Sequence, residues 1–435
     1  MAAYLKGRQS RVDWQGVSSK WRNIKTGVPQ GSVLGPILFN YFVSDCPVEQ
    51  PSYADDFSFS RSAVDVAELE VGLQSDIDAV VSWASSKMLK IAPEKSSITF
   101  FTPDKARQSR THPLVYISGQ AIPLDKNPRI LGVHLDTHFS FGQHALKVVK
   151  SCRDKLRIMR TLAGSGWGCQ KEILLRTYKT YVEPVISYAA AVWVPNTSPS
   201  SIALIQRIQN RALRIATGCH AASKVSHLHQ EAQFAFVGDH LNMLCTQFLA
   251  SCSLDSHPSN AVVSLPSGPR AMKHTLQSRF RPLLEPHLVN GSIDHTNYRN
   301  VLQSIHTHSA ANTISSLDPN PVLGTTPPPI SPSERRLTRI QRTTLAQLHS
   351  GHCKYLGDYQ ALTGRSFSAI CPECLFRRQT VPHLFHCDAR PTQLTLRDLW
   401  VNPVTVVEFL VSLSLFSALA PPDPPPPPPP PEPPP

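Results

Sequence analysis

Hydrophobic residues recur along this chain in two periods, and the change of period divides it. Over residues 32–45, Leu34, Ile37, Leu38, Tyr41 and Phe42 fall at helix-compatible steps behind the turn Gly27-Val28-Pro29-Gln30-Gly31. Residues 53–60, Tyr-Ala-Asp-Asp-Phe-Ser-Phe-Ser, alternate aromatic and small polar side chains after an acidic pair, which is the pattern of a strand leaving a turn. Val66, Leu69, Leu73, Ile77, Val80 and Ala84 return to steps of three and four and predict an amphipathic helix that ends before Pro93. Short strands are predicted at 97–101, 114–118 and 130–135. Mixed α and β structure is therefore expected through about residue 138.

Beyond Phe139 the helical period takes over. Phe141, Ala145, Val148, Cys152, Leu156 and Met159 form one stripe, and 173–182 form another. The next helix takes Ser198 as N-cap and Pro199 as first residue, with Ile202, Ile205, Ile208, Ala212 and Ile215 facing inward. Arg207, Arg211 and Arg214 share another face, either solvated or tracking phosphates. No helical stripe persists across 254–330, where Pro, Ser, Asn and His dominate, so a loose linker with short helices is expected there. Ser331-Pro332-Ser333-Glu334 fits a capping box, and the helix behind it sets Leu337, Ile340, Leu345 and Leu348 against Arg335, Arg339 and Arg342, a second basic stripe. The apolar run 404–420 contains Glu408 and falls short of the roughly 20 residues that cross a bilayer, which predicts a buried C-terminal helix and no membrane partner.

Charge sharpens this picture. Lys and Arg number 43 against 31 Asp and Glu, and the net charge of +12 points to an acidic polymer partner. A length of 435 residues allows two or three domains and excludes a disulfide-knotted miniprotein. Of the 40 prolines, 13 lie in 421–435, a polyproline II tail that either meets a polyproline-binding domain or is a low-complexity end. The ten cysteines are scattered apart from one cluster, and the first residues lack the apolar core of a signal peptide. Reduced thiols in a nuclear or cytoplasmic compartment are expected.

Two constellations carry chemistry. Asp55 and Asp56 are adjacent carboxylates on a tight turn, and a divalent cation such as Mg²⁺ would relieve their repulsion, although Asp also favours turns for local reasons. Cys371-Pro372-Glu373-Cys374 is followed after eight residues by His383 and after three more by Cys387, a spacing that suits structural Zn²⁺ in a closed Cys3His shell. His386 is the competing ligand, and a reduced cysteine-rich turn without metal is the plainer alternative. The histidine pairs His227/His229 and His306/His308 have no further ligand at a suitable spacing and are expected on the surface or in loops.

The Gly27–Phe39 stretch, with its Pro-Gln-Gly turn opening a helix, and the Tyr-Ala-Asp-Asp hairpin twenty residues on together resemble the reverse transcriptases of non-LTR (LINE-type, jockey-like) retrotransposons. The resemblance continues through residues 89–96, similar to the family's next palm motif with its lysine, and 130–135, similar to the primer-gripping hairpin. Tyr188-Ala189-Ala190-Ala191-Val192-Trp193 and Asn210-Arg211-Ala212-Leu213-Arg214 are similar to the thumb region, and the Cys-Pro-x-Cys segment with Leu399-Trp400-x-Asn402-Pro403 to the C-terminal region of jockey-like proteins.

The resemblance implies Mg²⁺-dependent RNA-directed DNA synthesis on an RNA template from a DNA primer. Asp55 would be the main metal-binding carboxylate, with Asp56 shaping the site. Gln30, Gly31 and Ser32 would contact template and nucleotide, and Lys95 would assist the leaving group or simply be an exposed lysine. Arg207, Arg211 and Arg214 would track the nucleic-acid backbone. The family's palm also needs an aspartate several tens of residues before the Pro-Gln-Gly turn. Asp13 is the sole carboxylate in the 26 residues before Gly27 and does not match that motif, so an N-terminally truncated element is expected. The alternative is a catalytically dead remnant that still binds nucleic acid. The expected architecture is α+β: a partial right-hand polymerase palm over 1–138, a helical thumb over 139–253, the loose linker over 254–330, a zinc-stabilised helical module over 331–420 and the polyproline tail over 421–435.

Overall fold

The computed structural model describes residues 2–48, 51–102, 112–164, 166–264, 275–365 and 368–419. The 421–435 tail, and with it the expected polyproline-binding partner, lies outside the described residues. The chain divides into two units, Met1–Pro128 and Arg129–Pro435.

In the first unit, the spacing of apolar residues produces helices α1 (Leu34–Val43) and α2 (Val66–Ser86). The predicted stripe of α2 buries Ile77, Val80 and Ala84. Ile77 joins Ile98, Val115, Ile117 and Ile122 in a small core. The strands are shorter than the alternation suggests. Ser52–Tyr53 pairs with Asp56–Phe57 and Tyr116–Ile117 with Gln120–Ala121, each two residues long and antiparallel. The strand predicted at 97–101 is reduced to an isolated bridge between Ile98 and Leu124. Among the described residues the hairpins do not merge into one sheet, so each ladder ends where its turn-proximal pairs end. Helix α1 buries only Gly35 and Val43, and its Ile37 and Tyr41 stand in solvent.

The second unit opens with the hairpin Arg129–Ile130/Val133–His134 and continues as helices α3 (Gly142–Leu162), α4 (Lys171–Thr177), α5 (Pro199–Thr217), α6 (Val225–Ala232) and α7 (Val237–Cys252). The predicted stripe of α3 is buried: Ala145, Val148, Cys152, Leu156 and Met159 join Tyr178, Ile186, Trp193, Ile205 and Ile208 in one core. Helix α5 starts as its sequence dictates, with the Ser198 side chain accepting from the Ser201 N–H and Pro199 filling the first turn, where no N–H is needed. It stops at Gly218, whose φ of 79° is the left-handed geometry that glycine adopts without a Cβ penalty.

Two expectations fail here. The described residues of 254–330 are not a loose linker: α8 (Leu276–Leu284) and α9 (Tyr298–Ser315) fold there, and Phe280, Leu284, Ile293, Val301 and Ile305 belong to the main core. Apolar residues four apart bring these short helices down onto α7. The second correction concerns His227 and His229, which are 5% and 1% exposed rather than on the surface. The ring of His229 lies 4.1 Å from that of Phe236, with its nitrogens near the Phe234 carbonyl and Asn210.

The C-terminal part begins with a 3-10 turn, Pro332–Arg336, capped by Ser331. The helix α10 (Arg339–His349) has its own capping box, Thr338 with Gln341, so the expected box lies too early in the chain, at the 3-10 turn. Its basic residues are not a solvated or phosphate-tracking stripe. Arg339 and Arg342 are 5% and 2% exposed. Arg339 donates to the carbonyls of Ile215 (2.6 Å) and Ala216 at the end of α5, where the orphan carbonyls and the helix dipole favour a cation. Arg342 grips Glu172 with two hydrogen bonds of 2.5 and 2.8 Å and reaches Glu334 at 3.1 Å. The predicted C-terminal helix forms as α11 (Pro403–Val411), and Val406, Leu410, Leu413, Phe416 and Leu419 close a second core around Trp400. No helix among the described residues is long and apolar enough to cross a membrane.

Candidate functional site

The acidic pair sits where the alternating pattern places it. Tyr53 pairs with Asp56, leaving Ala54 and Asp55 as a two-residue turn, and Ala54 takes φ 53° to close it. Both carboxylates face solvent. The hairpin is anchored from its far strand: the Phe57 ring meets Trp83 of α2 edge-on at 6.2 Å, and Trp83 Nε1 donates to Asp45 at 3.0 Å.

Gln30 and Gly31 are also exposed, and Gly31 takes φ 86° with nothing within 4 Å of a Cβ there. Chain can thus approach this backbone closely. The Ser32 hydroxyl is already engaged, accepting from the Gly35 N–H at 3.0 Å and from Tyr4 Oη at 2.5 Å. Lys95 is exposed at the end of the 3-10 turn Pro93–Lys95. Among the described residues no hydrogen bond or ion pair joins Asp55 or Asp56 to Gln30, Gly31, Ser32 or Lys95. No third acidic, histidine or cysteine side chain converges with Asp55 and Asp56 among those residues either. Two carboxylates fit part of a Mg²⁺ shell, which also takes waters and phosphates, but they fall short of holding a metal pair.

The hairpin at the start of the second unit is held from behind. Leu131 and Gly132 turn it at φ 45° and 86°, and Tyr188 Oη donates to the Leu131 carbonyl at 2.6 Å. A Cβ on Gly132 would lie 3.2 Å from the Tyr188 ring. On its other side the His134 N–H donates to Nδ1 of His144, whose ring is packed against Trp193. Burial, then the neighbouring His134 and Lys147, push the His144 imidazolium down to about 4, so it is neutral.

Of the arginines expected on a backbone-tracking face, Arg207 and Arg211 are exposed on α5. Arg214 is half-buried and donates to the Ser223 carbonyl at 3.3 Å. The sequence reading missed a longer stripe. On α3, Lys150, Arg153, Arg157 and Arg160 are all exposed on a face that flanks the core residues. At 100° per residue they occupy an arc of roughly 80° and run about 15 Å along the helix. None of the four makes an ion pair among the described residues. Their spacing of three, four and three was the available signal.

The cysteine cluster converges. One ligand atom each from Cys371, Cys374, His383 and Cys387 lies within 4.8 Å of the others, and Cys374 Sγ is 3.3 Å from His383 Nε2. A tetrahedron with metal–sulfur bonds of about 2.3 Å has edges near this scale. The Thr380 side chain caps the short helix Val381–Phe385 by accepting from the His383 N–H, which fixes that residue. His386 turns away, its Nδ1 lying 2.9 Å from the Pro382 carbonyl. The Phe376 and Arg377 N–H groups point at Cys374 Sγ and hold its thiol below the ordinary range. Donor set and convergence fit a structural zinc ion. All ten cysteines are free of disulfides.

Residues 1–135, which include the acidic two-residue turn and the Pro-Gln-Gly helix start, match the family Reverse transcriptase (RNA-dependent DNA polymerase). Beyond those residues the chain is similar to RNA-directed DNA polymerases of jockey-like, non-LTR elements. It is 31% identical over 254 residues to the probable RNA-directed DNA polymerase from transposon X-element of Drosophila melanogaster, covering 56% of this chain and 27% of that protein. It is 26% identical over 275 residues to the RNA-directed DNA polymerase from mobile element jockey of the same fly, covering 59% and 29%. A third relative, the probable RNA-directed DNA polymerase from transposon BS, is 27% identical over 254 residues, covering 56% and 28%. The chain thus spans less than a third of the length of these curated relatives. No solved structure matches it.

Proposed function

We propose that this chain holds primer and template as the palm and thumb portion of an RNA-directed DNA polymerase, with the first unit as palm and residues 139–253 as thumb. The cationic stripe of α3 carries this reading, because four unpaired guanidinium and ammonium groups in line on a rigid helix suit a phosphate backbone. Arg207 and Arg211 extend it. Asp55 and Asp56 supply two carboxylates toward Mg²⁺, whose chemistry is to activate the primer hydroxyl and stabilise the leaving pyrophosphate. Gln30 and the open backbone of Gly31 face template and nucleotide, and Lys95 serves the leaving group. The cluster Cys371, Cys374, His383 and Cys387 holds Zn²⁺ as a structural ion, since four protein ligands leave no open position.

A second reading, binding without synthesis, is favoured because no third acidic side chain converges with Asp55 and Asp56 among the described residues. Primer extension on an RNA template with Mg²⁺ and dNTPs separates the two. Extension abolished by Asp55→Ala supports synthesis, whereas tight primer–template binding without extension supports the second reading. Absence of both refutes the proposal.

A further inference from the structure

The loop that carries Cys371 and Cys374 ends in two large apolar side chains standing in solvent, Leu375 at 71% and Phe376 at 88% exposure. Nothing about that exposure is slack. The Cys371 N–H donates to the Arg377 carbonyl at 2.8 Å, the Leu375 N–H donates to the Cys371 carbonyl at 3.0 Å, and Ile370 bridges Arg378 across the loop. The Phe376 and Arg377 N–H groups are spent on Cys374 Sγ. Leu375 is held at φ 61°, a left-handed conformation that a leucine occupies only when its surroundings impose it. The backbone therefore presents the Phe376 ring outward from a fixed base.

The loop's other charged side chains are paired off. Glu373, the loop's carboxylate, is taken by Arg390 at 3.1 Å, and Arg378 is taken by Asp358. Arg377 is exposed, with no carboxylate within ion-pair distance among the described residues. A rigid aromatic face beside an uncompensated guanidinium is the combination that stacks an unpaired base and pairs with its phosphate. Area decides against a protein partner. Two side chains and a guanidinium fall well below the roughly 800 Å² per partner of a stable protein interface, whereas one ring is enough for one base.

We infer that Leu375, Phe376 and Arg377 form a contact site for single-stranded nucleic acid, with Phe376 stacking on an unpaired base and Arg377 meeting the adjacent phosphate. The inference rests on the proposed metal cluster for the rigidity of the loop. It adds a reader of unpaired strand to the backbone-tracking stripe.

The test uses the full chain purified with zinc, a fluorescein-labelled 12-nucleotide single strand, and the corresponding duplex, with anisotropy followed over a salt series. Phe376→Ala is expected to weaken single-strand binding about 5- to 150-fold while leaving the duplex affinity and the salt slope unchanged. Arg377→Ala is expected to lower the slope of log K against log salt by about 0.7. Zinc content, measured on the same samples, is expected to match the wild type in both variants. A Phe376→Ala chain that retains zinc and binds the single strand like wild type overturns the inference. So does equal loss of single strand and duplex, or a wild-type dimer that this variant dissolves, which would make the tip a protein contact. A wild-type chain without zinc refutes the metal reading, and the anisotropy comparison still decides the contact site.

Discussion

His349 and Glu231, 118 positions apart in the sequence, meet in the protein interior with His349 Nδ1 2.7 Å from Glu231 Oε2. The other ring nitrogen lies 3.0 Å from the Leu399 carbonyl, and the ring stacks on Trp400 at 4.3 Å. Both nitrogens thus face oxygen atoms. Glu231 also accepts from Lys171 Nζ at 2.9 Å, and Lys171 reaches Glu334 at 3.1 Å. With Arg342 joining Glu334 and Glu172, two cations, His349 and three carboxylates tie α4, α6 and α10 together. The C-terminal segment is thereby fastened to the helical domain rather than tethered beside it.

Removing one member of this network is expected to cost more than its hydrogen bond. Glu231→Gln leaves His349 without its carboxylate and Lys171 with Glu334 alone in a buried site, which costs about 3–5 kcal/mol. Urea unfolding followed by circular dichroism should show a lower midpoint at unchanged slope. Residues 331–419 expressed alone should be digested rapidly by protease even with zinc, whereas 129–419 should resist. Equal resistance of the two would show that the network does not join them.

Acid should destabilise the second unit in two stages. His144 is held neutral at about 4, below its ordinary 6.5, so the unfolded chain binds its proton first and stability falls as pH drops from about 6.5 to 4. The Arg342 guanidinium holds Glu172 at about 2 against an ordinary 4.5. Burial pushes Glu231 upward, but Lys171 and His349 outweigh it and keep it below the ordinary range. Carboxyls depressed in the folded state contribute stability above about pH 4.5 that disappears as pH falls toward 2. Thermal midpoints taken from pH 7 to 2 should show both declines, with Glu172→Gln flattening the lower one and His144→Asn the upper. A curve unchanged by either substitution would contradict the assignment.

Much of this was legible in advance because the signals were local. Ser198 and Pro199 announce a helix start by their own chemistry, and the burial of Ala145, Val148, Cys152, Leu156 and Met159 follows from period alone. The ligand spacing of Cys371, Cys374, His383 and Cys387 is likewise a short-range fact. What stayed hidden depends on distant partners. Arg342 reads as a solvated residue until Glu172, 170 positions away, is placed against it. Arg339 reads the same way until the last carbonyls of α5 reach it. Helices α8 and α9 were obscured because each buries only a few residues, and their apolar pairs are diluted by the polar sequence around them.

The choice between the two histidines near Cys387 yields a sharp comparison. His383 Nε2 lies 3.3 Å from Cys374 Sγ, whereas His386 is turned to the Pro382 carbonyl. His383→Ala should therefore lose bound zinc and lower the unfolding midpoint, while His386→Ala should keep one zinc per chain. Serine at both Cys371 and Cys374 should abolish zinc binding. Loss of the ion from the His386 variant alone would reassign the fourth ligand.

The stripe on α3 makes a quantitative demand on salt dependence. If Lys150, Arg153, Arg157 and Arg160 neutralise phosphates of a duplex, each releases a counterion and contributes about 0.9 to the slope of log K against log salt. Reversing Arg153 and Arg157 to Glu should lower the slope by about 2 and weaken binding of duplexes of any sequence alike, because backbone contacts carry no base information. These side chains are exposed, so the fold should be unaffected, with any stability change within about 0.5 kcal/mol. The same reversal at Arg207 and Arg211 tests whether α5 lies along the same path: combined with the α3 variant, an additive drop in slope places both helices on one strand of phosphates. A slope that does not move in the α3 variant would remove the helix from the binding surface and leave the proposed thumb without its contact.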